Sequence, residues 1–187
     1  MTSTCRNIEA HPHIWIDTKI RFVFIHQSLS YIKLTYIFDE MYSVMICDQV
    51  DINNNDKFES SEIAKIKEMI LKEIDGDNYF AHLKVNNNDI PVENIEFLTA
   101  FMDKEERLVL FLNIPCNIAA TESNQTVAIS IYDEKYYCEI VDPIEEMVFI
   151  KGANEIECSL SFQEDTKNAY YYDQFNPIFT IINFKKK

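Results

Sequence analysis

Around Ile14 to Phe24 apolar and polar residues alternate with period two. Ile14, Ile16, Ile20, Phe22 and Phe24 fall on one face, and His11, His13, Trp15, Asp17, Lys19 and Arg21 on the other. That period marks a half-buried strand. A polar turn at 26–28 leads to a second strand over 31–38, and the two predict a hairpin. The pattern then turns helical. Asp39 has the chemistry of an N-cap, and Met41, Val44, Met45 and Asp48 follow at helical spacing. A polar loop over 51–62 precedes a second helix, whose Ile63, Ile66, Met69, Ile70 and Ile74 form one stripe.

From residue 79 onward the chain reads as β. The predicted strands are 79–85, 90–102, 107–114, 126–132, 136–141, 147–151, 155–162 and 178–184, with turns at 86–89 and 103–106. The expected fold is α+β, mostly β: an antiparallel β-sandwich with an EF-hand-like helix–loop–helix inserted at about 39–75. One domain covers 11–187. Residues 1–10 read as a leader remnant or a disordered N-terminus, because they lack the apolar run of a signal peptide.

Composition narrows the function classes. With 47% hydrophobic residues the chain can bury a full core without disulfides. A net charge of −14 repels nucleic acid and attracts cations. No apolar run is long enough for a membrane helix. With only 2 glycines, Asn and Asp must supply the left-handed turn positions. Cys5, Cys47, Cys116, Cys138 and Cys158 show no zinc-ribbon spacing and read as free thiols, with Cys138 and Cys158 the first choice for any disulfide.

Two motifs carry chemistry. Residues 51–62 follow the twelve-residue calcium-loop register. Asp51, Asn53 and Asn55 stand at positions one, three and five, and the Lys57 carbonyl at seven. Glu59 stands at nine and Glu62 at twelve. A hard cation needs such oxygens arranged around it. Position six is Asp56 where the motif has Gly, and two ligands are neutral Asn, so weak calcium binding is expected. The alternative is an Asn-rich turn that binds nothing.

The second motif is His11-Pro12-His13, two imidazoles on one strand face. Imidazole suits zinc, copper or nickel, with Asp39, Glu40 or Asp133 as oxygen donors from elsewhere. The alternative is a pair of solvated histidines. His26 and His82 read as ordinary residues. Tyr170-Tyr171-Tyr172 is either a binding platform or an aromatic packing cluster. There is no phosphate loop, nucleophile elbow or dinucleotide fingerprint.

Several pieces in order resemble a bacterial family, domain of unknown function number 1007, also described as the periplasmic component of an uncharacterised ABC-type transport system. They are residues 11–17 (His-Pro-His-Ile-Trp-Ile-Asp), 38–43 (Phe-Asp-Glu-Met-Tyr-Ser), the 51–62 loop, Tyr79-Phe80, Tyr132-Asp133 and Tyr136-Tyr137. The resemblance implies export to the periplasm and a place beside nickel/cobalt-type permeases. It therefore implies a non-enzymatic metal-binding accessory whose partner is a membrane metal transporter. The alternatives are a structural or interaction domain stapled by calcium, and a copper enzyme built on an N-terminal histidine at position 11.

Overall fold

The computed structural model describes residues 12–53, 55 and 57–187. The expectations for residues 1–10, Cys5, His11 and Asp56 lie outside the described residues. β1 (Ile14–Ile25) and β2 (Ser28–Phe38) form the predicted hairpin. His26 and Gln27 close it with φ of 47° and 59°, the left-handed pair that a two-residue hairpin turn requires. Ile16, Ile20, Phe22 and Phe24 point into the core, while Trp15 stays about half exposed.

Two helices follow. Asp39 caps α1 (Glu40–Val50) as expected, its carboxylate accepting the Tyr42 N–H at 2.9 Å. The buried face of α1 differs from the sequence reading. Tyr42, Ser43, Ile46 and Val50 point inward, whereas Met41, Val44 and Met45 are exposed. Ser43 fixes this rotation. Its hydroxyl donates to the Asp39 carbonyl at 2.6 Å and accepts the Leu108 N–H at 2.8 Å, so the 42/46/50 stripe packs on the sheet. In α2 (Ser60–Ile74), Ile66, Ile70 and Ile74 are buried as predicted. Truncating Ile66, fully buried, to Ala would cost about 2–5 kcal/mol.

After α2 a short 3-10 turn over Asp75–Phe80 delivers the chain to β3 (Ala81–Val85), which pairs with β4 (Asn88–Ile90). β5 (Glu96–Met102) and β6 (Leu108–Ala119) form the next hairpin. β7 (Gln125–Ile131), β8 (Cys138–Val141), β9 (Val148–Lys151), β10 (Ile156–Glu164) and β11 (Ile178–Lys186) complete the order. One sheet runs β5-β6-β2-β1-β8, with β9 also on β1. The second runs β10-β11-β7-β3-β4. Residues of both sheets and both helices contribute to one core, and the Phe24 and Phe184 rings meet edge-on at 5.1 Å between the sheets.

The mostly-β expectation holds, but the details differ in four places. β8 and β9 run parallel to β1, so the first sheet is mixed. The predicted 90–102 strand is two strands in different sheets. Pro91 offers no N–H to a ladder and Asn94 is left-handed, so the chain crosses there. Tyr136 is left-handed, so the predicted 136–141 strand starts only at Cys138. Cys138 and Cys158 lie on different sheets, and each is a free thiol.

Asn78, Asn86, Asn87, Asn94, Asn117 and Asp173 take left-handed positions, as the shortage of glycine requires. Tyr79, Phe80, Tyr136, Tyr171 and Tyr172 also do so. For such side chains this costs roughly 1–2 kcal/mol each, so the surrounding structure must hold them. Two runs of three stand out, at 78–80 and 171–173.

Candidate functional site

The loop between α1 and α2 gathers the predicted calcium ligands. Asp51 and Glu62 are buried at its two ends. Asp51 Oδ1 accepts the Asn55 N–H at 3.2 Å, and Glu62 accepts the Ile52 N–H at 3.1 Å and the Glu59 N–H at 2.9 Å. The side-chain amides of Asn53 and Asn55 donate to the two oxygens of Glu59 at 3.2 and 2.7 Å. The Lys57 N–H donates to Asn55 Oδ1 at 2.9 Å. All five oxygen-bearing side chains are therefore tied to one another or to the loop's own amides.

The hydrogen bonding that involves Glu62, then the amides of Asn55 and Asn53, holds the Glu59 carboxyl down at about 2. Glu59 is thus a full anion at neutral pH, in a loop that also carries two buried carboxyl residues. Among the described residues, no three His, Cys, Asp or Glu side chains converge at metal-binding geometry. A complete oxygen shell here must draw on the Asn side chains and the Lys57 carbonyl as well.

The second expected site divides. His13 lies at the rim of a groove of about 880 Å³ where the start of β1 and β8 face α1 and α2. Its backbone N–H donates to the Tyr137 carbonyl at 2.9 Å and its ring lies 4.9 Å from the Tyr137 ring. Asp133 lines the same groove, but its carboxylate accepts the N–H groups of Lys135, Tyr137 and Cys138 at 2.9, 2.8 and 3.0 Å. It is the staple of the turn between β7 and β8.

Asp39 lines a different cleft, with Trp15 and Arg107, and accepts the N–H groups of Trp15 and Tyr42 at 2.9 Å each. Of the predicted transition-metal set, the structure thus brings His13 and Asp133 to one groove and leaves Asp39 outside it. Glu40, in the first turn of α1, lines that second cleft.

Sequence reasoning missed the rest of the groove. Met41 and Met45 of α1 line one wall, one turn apart, and Ile70 and Ile74 of α2 another. Cys138 lies on its floor. Burial, with Asp133 next in weight, pushes the Cys138 thiol up to about 12, so it is neutral at physiological pH. Burial raises Tyr42 above its ordinary value, with Glu73 adding to the effect. The available signal was the 42/46/50 stripe, which competes with Met41, Val44 and Met45 for the inward face of α1.

Comparison with known proteins places this arrangement in context. The family described as Protein of unknown function (DUF1007) matches residues 1–176. A curated relative from Spirochaeta aurantia, named "Uncharacterized 15.5 kDa protein in trpE 3'region", is 21% identical over 141 residues. That match covers 75% of this chain and 98% of the relative. No helix among the described residues is long and apolar enough to cross a membrane.

Proposed function

The chain belongs to the family of proteins of unknown function DUF1007, and from that premise we propose that it is a non-enzymatic metal-binding protein of the periplasm, accessory to a membrane transporter of transition metals such as nickel, cobalt or zinc. In this reading the loop between α1 and α2 takes calcium through Asp51, Asn53, Asn55, Glu59, Glu62 and the Lys57 carbonyl. His13, with His11 before it, takes the transition metal at the groove.

The observation that carries the reading is the closed loop, in which Asn53 and Asn55 converge on Glu59 while Glu62 reaches back to the amide of Ile52. Asp51, Glu59 and Glu62 place three acidic groups in one short loop, two of them in buried residues. A hard divalent cation offsets their repulsion more directly than amide donors do. The net charge of −14 draws cations to the surface in general.

One feature favours a second reading. Asp39 and Asp133 are engaged by backbone amides, which suits a structural or interaction domain in which calcium at the loop only staples α1 to α2. Titration of zinc, copper and nickel separates the two. The transport reading expects saturable binding by wild type that is lost in His13→Ala and weakens in acid, where protons compete with the metal for imidazole nitrogen. Equal binding by wild type and His13→Ala would leave only the calcium-stapled domain.

A further inference from the structure

The sheet built on β1 and β2 has a second face, turned away from the core. Ile20, Phe22, Ile32 and Leu34 are fully buried, so Lys19, Arg21 and Lys33, at the alternate positions, lie on the outer face. Lys151 of β9 joins them in the row beside Val23. Arg21 and Lys33 are direct cross-strand partners, and Phe149 of β9 flanks Arg21 on its other side.

Like charges placed directly opposite each other destabilise a sheet, and no counter-charge in the described fold relieves them. Among the described residues, Lys19, Arg21, Lys33 and Lys151 make no ion pair. Asp17, next along the same face of β1, is taken by Arg107 at 3.0 Å. Lys33 lies over the Phe111 ring at 3.8 Å and Arg21 over the Phe149 ring at 5.3 Å. Burial, then repulsion from Arg21 and Lys151, holds the Lys33 ammonium below its ordinary value, as three neighbouring cations require. The chain has 31 acidic residues against 17 basic ones. Four unpaired cations on one face of such a chain are a segregated patch.

Charge complementarity calls for an anionic partner, and the form of the face selects among anions. It is an open sheet surface of five strands, β9-β1-β2-β6-β5, roughly 20 Å across at the usual strand spacing. The cations hold its middle and aromatic rings its flanks. Phe149 is exposed on one side, and Phe101, also exposed, meets Phe111 at 5.4 Å on the other. Cations between exposed rings on a broad surface match the headgroup layer of an anionic bilayer, where phosphates spread in a plane and aromatic rings lodge at the boundary. An extended acidic peptide is held by a sheet edge or a groove instead. Charges on the second sheet lie about 10 Å behind this face, roughly one Debye length in physiological salt, so the chain's net charge does not decide the contact.

We propose that this face docks the protein on an anionic phospholipid surface, with Lys19, Arg21, Lys33 and Lys151 at the lipid phosphates and the Phe149 and Phe101 rings in the headgroup layer. The proposal rests on charge and placement alone and holds whether or not the chain binds metal.

The test is sedimentation of the full chain with vesicles of phosphatidylcholine alone and with about one-third phosphatidylglycerol. Chelator is present so that calcium cannot bridge acidic groups to lipid. Binding is expected only with phosphatidylglycerol, and it should fall as salt rises. Arg21→Gln should weaken it about fivefold, the equivalent of roughly 1 kcal/mol for one cation at such a surface, and Arg21→Gln with Lys33→Gln about 25-fold. Both variants should fold, because they remove a like-charge pair. Lys167→Gln, the same change of charge in the loop after β10, should leave the affinity unaltered. No binding to phosphatidylglycerol, equal binding to phosphatidylcholine, undiminished binding by the double variant, or an equal loss in Lys167→Gln would overturn the proposal. Displacement from the vesicles by soluble poly-glutamate at lower concentration than lipid would also overturn it, by assigning the face to an acidic protein segment.

Discussion

The hydroxyl of Tyr36, near the end of β2, the central strand of the first sheet, donates a 2.7 Å hydrogen bond to the carbonyl of Tyr79, a residue in the left-handed conformation. Tyr36 is wholly buried. This contact anchors the exit of the helical insertion to the middle of the first sheet, and it helps hold the strained 78–80 run. Tyr36→Phe leaves the Tyr79 carbonyl without this donor. The expected loss of stability is about 1–3 kcal/mol, measurable by urea denaturation, with the largest gain in amide exchange around residues 78–82. A variant as stable as wild type would show that the strain is held by something else.

Gly152 offers a second test of the backbone. Its φ is +79°, and a Cβ placed there would lie 2.1 Å from the carbonyl oxygen of Phe24. That atom is backbone, in the strand that β9 pairs with, so it cannot swing aside. Gly152→Ala should destabilise the fold by roughly 2–4 kcal/mol, the range of backbone-strain and overpacking substitutions. The melting temperature checks it, and a loss near zero would mean that β9 shifts freely on β1.

Much of this fold is legible in the sequence because its signals are local. The β1–β2 hairpin follows from period-two alternation, the Asp39 cap from its chemistry, and the β3–β4 turn from Asn86 and Asn87. What is not legible depends on partners distant in sequence. The inward face of α1 is set by Ser43 meeting Leu108, and the sheet change between β4 and β5 is set by where each half finds a partner. The spacing of oxygen-bearing side chains over residues 51–62 can be read as a string. That Asp39 also accepts the Trp15 N–H cannot, since that donor lies 24 residues away.

The loop makes a prediction about acid. The Glu59 carboxyl sits at about 2, below its ordinary 4.5, because of hydrogen bonding with Glu62 and then the amides of Asn55 and Asn53. A carboxyl depressed in the folded state contributes stability that is present above the unfolded value and lost as pH falls. The window here runs from about 4.5 down to about 2. Carboxyl NMR titration should place the Glu59 midpoint near 2 in wild type and move it upward in Asn55→Ala. A wild-type midpoint at the ordinary value would mean that the loop is open in solution.

His82 gives a second titration with the same sign for a different reason. Burial lowers its pKa from 6.5, so the folded state takes up its proton less readily than the unfolded chain does. Stability from this group is therefore present above the ordinary value and lost as pH falls below it. Ring NMR should show His82 titrating below 6.5, and an ordinary or raised midpoint would contradict a buried neutral imidazole.

The central claim is that residues 51–62 bind calcium, and thermal unfolding with and without the ion tests it most directly. Calcium binding only the folded chain stabilises it by about 2.7 kcal/mol at a hundredfold excess over Kd. Wild-type protein should melt several degrees higher in millimolar calcium than in chelator, and Glu62→Gln, which removes the bidentate carboxylate but keeps an acceptor for the Ile52 amide, should lose most of that difference. Identical melting of wild type in calcium and in chelator, or an equal gain in Glu62→Gln, would contradict the account.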